Sequence, residues 1–107
     1  MSFYRIQPAG RDTALLLDES TWQSAQWNGH DDEDIRRGVS TCASIDDLVA
    51  YYRLAGGDPD GCVLVELAGS RADVLDHDHE AGAVLIYPSA ILSVTPVPAD
   101  ILDRIYA

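Results

Sequence analysis

Apolar and β-branched positions come in short runs separated by polar punctuation, and each run carries its own period. Ser2 to Gln7 places Phe3, Tyr4 and Ile6 in an opening strand, halted by the turn cluster Pro8-Ala9-Gly10. Asp12 is positioned to cap a short helix over Thr13 to Asp18, whose apolar surface comes from the adjacent Leu15, Leu16 and Leu17. From Glu19 to Gly38 neither period is sustained, which predicts a long loop. Gly38 to Cys42 returns to strand character. Ser44 then stands as a helix N-cap, with Asp46 and Asp47 in the first turn where the helix dipole favours negative charge. Ile45, Leu48, Val49 and Tyr52 fall at i, i+3, i+4 and i+7, one buried stripe, and Gly56-Gly57 offers a left-handed stop.

The second half reads as a sheet. Asp58-Pro59-Asp60-Gly61 is a turn by composition, and Cys62 to Leu67 is mostly apolar, as a central strand covered on both faces requires. Asp73 to Gly82 is polar and acidic. Ala83 to Tyr87 and Ile91 to Val94 predict two neighbouring strands around a break at Pro88-Ser89-Ala90. Pro96 and Pro98 end the sheet, and Ile101, Leu102 and Ile105 mark a short amphipathic helix. This order predicts an α+β fold, a small mixed or largely antiparallel sheet with two to three short helices. A doubly wound parallel sheet would need more crossover helices. The expectation is one compact domain over residues 1–107, with long acidic loops near 19–38 and 73–82.

Composition narrows the functional classes. Among 107 residues, 18 Asp and Glu oppose 7 Arg and no Lys, a formal charge of −11, so direct nucleic-acid binding is disfavoured for want of clustered cations. An apolar fraction of 47 % is enough for a core, which separates the chain from disordered acidic tails. No apolar run is long enough to span a membrane, and the first residues lack the layout of a signal peptide, so a soluble cytoplasmic protein without membrane association is expected. Cys42 and Cys62 lie among apolar neighbours and match neither a disulfide framework nor a zinc motif.

Two clusters carry ligand-type side chains. In Asp76-His77-Asp78-His79-Glu80 the two His would share one face of an extended segment, but the spacing fits neither a His-Glu-x-x-His helix nor a calcium loop. A solvated acidic loop is the plainer reading, with no metal expected and His77 and His79 the residues to watch. Asp31, Asp32, Glu33 and Asp34 repel one another and suit a basic partner. Trp22 and Trp27 precede that run in the same loop region, and a Trp there is either an exposed anchor for a partner or a ring folded back over the core.

Phe3-Tyr4-Arg5-Ile6, then Gly38 to Ser44 leading into a helix that ends Val49-Ala50-Tyr51-Tyr52, then Ala83 to Pro88 followed by Ile91 to Val94, resemble in order the core of ADP-ribosyltransferase-like folds. The resemblance implies NAD as cofactor, with Arg5 contacting it and Ser40 or Thr41 supporting the ribose and nicotinamide side. It also implies a Glu just before the last strand, where the nearest carboxylate is Glu80, three residues ahead of Ala83. Read without the resemblance, the chain is a small acidic protein-binding module acting on a basic protein surface, as an inhibitor or nucleic-acid mimic would, without a cofactor. Its contact residues are then Trp22, Trp27, Asp31, Asp32, Glu33, Asp34, Asp76 and Asp78. The alternative is an NAD-dependent ADP-ribosyltransferase-like enzyme using Arg5, Ser40, Thr41 and Glu80.

Overall fold

The computed structural model describes residues 2–24, 36–54 and 57–107. Four strands make the body: β1 (Ser2–Pro8), β4 (Val39–Cys42), β5 (Cys62–Arg71) and β6 (Ala83–Pro96). Each pairs antiparallel with its neighbours in the closed order β1-β4-β6-β5. The fold is therefore α+β with an antiparallel sheet, and that sheet closes into a barrel. A two-residue ladder, β2 (Gln23–Ser24) with β3 (Arg36–Arg37), leads into β4. Two helices, α1 (Ile45–Leu54) and α2 (Ala99–Tyr106), pack against each other and the barrel wall.

Period-2 alternation divides the apolar residues between two cores. Phe3, Val39, Val65, Leu67 and Ile86 form the first, closed off by Leu16 and Trp22. Ile6, Cys42 and, beside them, Leu64 face the other way and meet Leu48 and Val49 of α1 and Ile101 and Ile105 of α2. Side chains buried this fully each contribute about 1.5–3 kcal/mol of transfer free energy. Strand β5 is hydrogen-bonded to β1 on one side and β6 on the other, but in a closed barrel every strand has two neighbours, so it is not the central, doubly covered strand that its apolar run predicts.

The expected short helix after Asp12 is present as the 3-10 helix Thr13–Leu17; Asp12 caps it, accepting from the Ala14 N–H at 2.9 Å, and of its three adjacent leucines Leu16 is the buried one. Two further expectations need correction. The predicted break at Pro88 is absent: Ala83–Pro96 is one continuous strand, its first four residues paired with β4 and its residues from Ile86 onward with β5, apart from Ser89 and Leu92 at the register shifts. Proline survives there because the β5–β6 register shifts between Ala68 and Gly69, and Pro88 stands opposite Gly69. Helix α1 ends at Leu54, Gly57 is not left-handed, and Gly56 lies outside the described residues.

Among the described residues no helix is long and apolar enough to cross a membrane.

Candidate functional site

The barrel is least complete at the seam between β1 and β4. Only Tyr4 and Cys42 are paired across it. Continuing that register would set Ser40 opposite Ile6; instead the strands part, and the Ser40 carbonyl accepts a hydrogen bond from Arg5 Nη1 at 3.1 Å. Arg5 Nε also donates to Gln7 Oε1 at 3.1 Å, while Gln7, only 2 % exposed, donates through Nε2 to the Arg11 carbonyl at 3.4 Å. A side chain thus closes a gap that backbone ladders close elsewhere, and Gln7 braces it.

Arg5 separates two clefts of about 240 Å³ each. One is lined by Arg5, Arg11, Asp12, Thr21 and Ser40, the other by Arg5, Ser40, Cys42, Tyr51, Tyr52 and Ala83. Burial lowers the Arg5 pKa, the nearby positive charge of Arg11 lowers it further, and Tyr52, Tyr51 and Asp76 act in the opposite sense. Arg5 forms no ion pair among the described residues. Arg5 and Ser40 therefore meet, through the Ser40 backbone carbonyl. Glu80 does not join them: it is exposed in the 3-10 turn His79–Ala81 and lines neither cleft. Thr41 is 4 % exposed and its hydroxyl donates to the Val84 carbonyl at 2.9 Å, so it ties β4 to β6.

Nucleophilic chemistry at Cys42 is opposed by its setting. The thiol is buried, and desolvation, aided by Asp47 and Asp76, pushes its pKa up to about 11. A thiol protonated at neutral pH is a poor nucleophile.

The candidate contact residues divide. Trp22 is core, not an exposed anchor: it is 6 % exposed, its Nε1–H donates to the Leu16 carbonyl at 2.8 Å, and its ring stacks on Tyr87 with centroids 5.7 Å apart. Asp76 is also buried, at 4 % exposure, where a surface acid was expected. Asp78 is exposed and accepts from the Tyr51 hydroxyl at 2.9 Å. Burial, then this bond, raises the Tyr51 pKa well above its ordinary value. Trp27, Asp31, Asp32, Glu33 and Asp34 lie outside the described residues.

His79 Nδ1 is 3.0 Å from the Asp76 carbonyl, which only accepts, so Nδ1 carries the proton. Among the described residues no three His, Cys, Asp or Glu side chains are grouped to hold a metal, His77 and His79 included.

Three participants escape sequence reasoning. Gln7 and Arg11 shape the Arg5 seam, and Tyr51 bonds Asp78. For Tyr51 a signal exists, since it sits beside the apolar stripe of α1 rather than on it. For Gln7 and Arg11 the decisive contact depends on how β1 and β4 separate.

The exposed acids form the broadest feature. Asp46 and Asp47 open α1, Asp100 and Asp103 lie on α2, and Asp58 and Asp60 occupy the turn before β5, all exposed. Few cations answer them. Arg104 pairs with Asp46 at 2.7 Å and Arg37 with Glu19 at 3.3 Å, the ion pairs among the described residues. Arg53 is directed to the Ala107 carbonyl, and Arg71 lies over the Phe3 ring. Asp58 accepts a hydrogen bond from the Tyr106 hydroxyl, which holds the Asp58 carboxyl below its usual range. Comparison with protein-family models, curated proteins and solved structures finds no match for this chain.

Proposed function

We propose that this chain is a small acidic protein-binding module whose partner presents a basic surface. The observation that carries the reading is the excess of negative charge on the two-helix layer. Asp46, Asp47, Asp100 and Asp103 share it with Arg53 and Arg104, and the neighbouring turn adds Asp58 and Asp60. Such a field raises encounter rates with a cationic surface and weakens with salt. Ordered carboxylates of this kind suit an inhibitor that occupies a site built for phosphates.

The test is affinity capture with the full chain, followed by salt titration of any partner retained. A basic partner should be lost at about 0.5 M salt, where the screening length falls to a few ångströms. It should also be lost to a variant carrying Asp46→Asn, Asp47→Asn, Asp100→Asn and Asp103→Asn. Partners that survive both changes would remove the reading.

A second reading is favoured by the meeting of Arg5 and Ser40: an NAD-dependent ADP-ribosyltransferase-like enzyme, with Arg5 on the cofactor and Ser40 toward the ribose. Each cleft beside Arg5 is smaller than the ~300 Å³ lower bound for typical ligand pockets, so a dinucleotide would lie across both. The carboxylate that such a reaction needs beside its cationic centre would have to come from elsewhere than the observed position of Glu80. Incubation with labelled NAD and lysate protein decides it; no label transfer, no nicotinamide release and no thermal shift with NAD would dismiss the enzyme.

A further inference from the structure

One acid differs from all the exposed ones. Asp76 lies in the segment that joins β5 to β6, and its two carboxylate oxygens have unequal surroundings. Oδ1 accepts the Asp78 N–H at 2.8 Å; Oδ2 is buried and meets no donor among the described residues. Folding has stripped this oxygen of water without replacing it, an arrangement native proteins keep rarely. Arg71, which lines the same cleft, lies 5.9 Å from the centre of the Phe3 ring and makes no ion pair with Asp76.

The cleft beside it measures about 300 Å³, and its walls include Val74, Leu75, Val84 and Leu85. Val74 and Leu75 are 47 % and 63 % exposed, large apolar side chains standing in water next to a carboxylate. We propose that this cleft receives one arginine side chain of the basic partner, its guanidinium donating to Asp76 Oδ2 and its methylene stem lying along Val74 and Leu75. The proposal rests on the acidic-module reading and supplies that reading with an anchor.

Apart from Arg71, whose guanidinium lies over the Phe3 ring, the features of the cleft select this occupant. A neutral apolar group would leave Oδ2 unmatched, and an anion would meet the carboxylate. A metal would need further ligands, and no group of three is present among the described residues. Arginine is more weakly hydrated than lysine and offers a rigid planar fork of donors, so it loses less on entering a partly apolar cleft. Its stem covers apolar surface while its head reaches an acceptor. The acceptor is aligned beforehand: the Asp78 N–H holds Oδ1, and His79 Nδ1–H donates to the Asp76 carbonyl. Entry requires Val74 and Leu75 to move aside, and both are already half in solvent.

The test is an NMR titration of the 15N-labelled full chain with acetyl-Gly-Arg-Gly-amide, up to ~10 mM because a single anchor binds weakly. The neutral citrulline analogue serves as the matched control. Amide signals of residues 74–79 and 83–85 should move with the arginine peptide, and citrulline or Asp76→Asn should weaken the effect about tenfold or more. Asn can still accept the Asp78 N–H, so Asp76→Asn should keep the native spectrum. If it does not fold, Val74→Trp, which fills the cleft from an exposed position, should abolish the shifts instead. Shifts that are the same with both peptides, that survive both variants, or that never reach the cleft overturn the anchor. Partner capture that persists in Asp76→Asn but is lost to neutralisation of the helix acids would refute the anchor and leave the acidic module standing. Loss of neither would refute both.

Discussion

Gly69 has backbone where any other residue would have a β-carbon. An added Cβ would lie 2.6 Å from the Tyr87 carbonyl oxygen and 2.9 Å from the Pro88 Cα, neither of which can swing away as a side chain would. Gly69→Ala is therefore expected to lower stability by about 1–3 kcal/mol in urea unfolding, the range for overpacking. Gly10, with nothing within 4 Å of the same construction, should tolerate alanine to within about 0.5 kcal/mol. Equal effects at the two positions would show that the close approach of β5 and β6 is not what holds glycine there. Cys42 makes a different residue-scale claim. Burial raises its pKa from 9.0 to about 11, so the unfolded chain releases this proton first as pH rises. The stability that the neutral thiol contributes is whole below about pH 9 and is lost on approach to pH 11, by roughly 2–3 kcal/mol at ~1.4 kcal/mol per pKa unit. Tyr51 and Tyr106 are shifted in the same direction, the latter to about 12, so some alkaline decline persists without the thiol. Unfolding free energies across this pH range should fall less steeply in Cys42→Ala than in the parent chain; parallel curves would refute the thiol's part.

Helix α1 is the element most dependent on its own sequence. Ser44 Oγ accepts the Asp47 N–H at 3.0 Å, and the Ser44 carbonyl accepts from Leu48 at 3.0 Å, the two bonds of an N-cap. Ser44→Ala should cost about 1 kcal/mol, and Ser44→Asp should restore most of it, since Asp caps as well and favours the positive end of the dipole. A loss that Asp does not repair would mean that the hydroxyl matters for something besides the cap. This helix is legible before folding because cap, first-turn acids and apolar stripe all lie within nine residues. The same holds for the Asp12 cap and for α2, where Ile101 and Ile105 stand one turn apart and both are buried. Strand β6 is not legible in that way. Pro88 reads locally as a stop, and only Gly69, nineteen positions earlier and on another strand, makes room for it. Gly38 shows the same dependence: its φ of +143° and the approach of Leu85 and Ile86 fix the entry to β4, yet in the sequence it is an ordinary loop glycine. The seam at Arg5 lies further still from local reading. The resemblance to ADP-ribosyltransferase-like folds makes Arg5 a candidate, but its bond to the Ser40 carbonyl spans 35 positions and exists because two strands part there. Trp22 is decided by a carbonyl six residues back, at Leu16, which a pattern of apolar and polar positions does not encode.

At the scale of the whole molecule, a formal charge of −11 sets self-repulsion against a few exposed ion pairs. Glu19 and Arg37 are 71 % and 57 % exposed, and Asp46 and Arg104 are 84 % and 46 % exposed, so each pair contributes little net stability. Like charges further apart than a few contacts still repel at low ionic strength, because the screening length is about 30 Å at 0.01 M salt and about 8 Å at 0.15 M. Adding salt should therefore stabilise the free chain, with Tm rising by a few degrees between these conditions, a change on the order of 1 kcal/mol in a domain of this size. A chain held together by its ion pairs would show the opposite sign, and a falling Tm would refute the repulsion argument. Asp100→Asn with Asp103→Asn should raise Tm at low salt and flatten its dependence, because both acids are exposed on α2 and neither belongs to an ion pair among the described residues. On the proposed function, the same charges would give a basic partner its leverage. Binding cancels repulsion that the free chain carries, so salt should strengthen the free fold while loosening the complex. Measured on one sample series, those two opposed slopes separate an acidic surface kept for a partner from one kept only for solubility, in which salt would move the fold and leave any association unchanged.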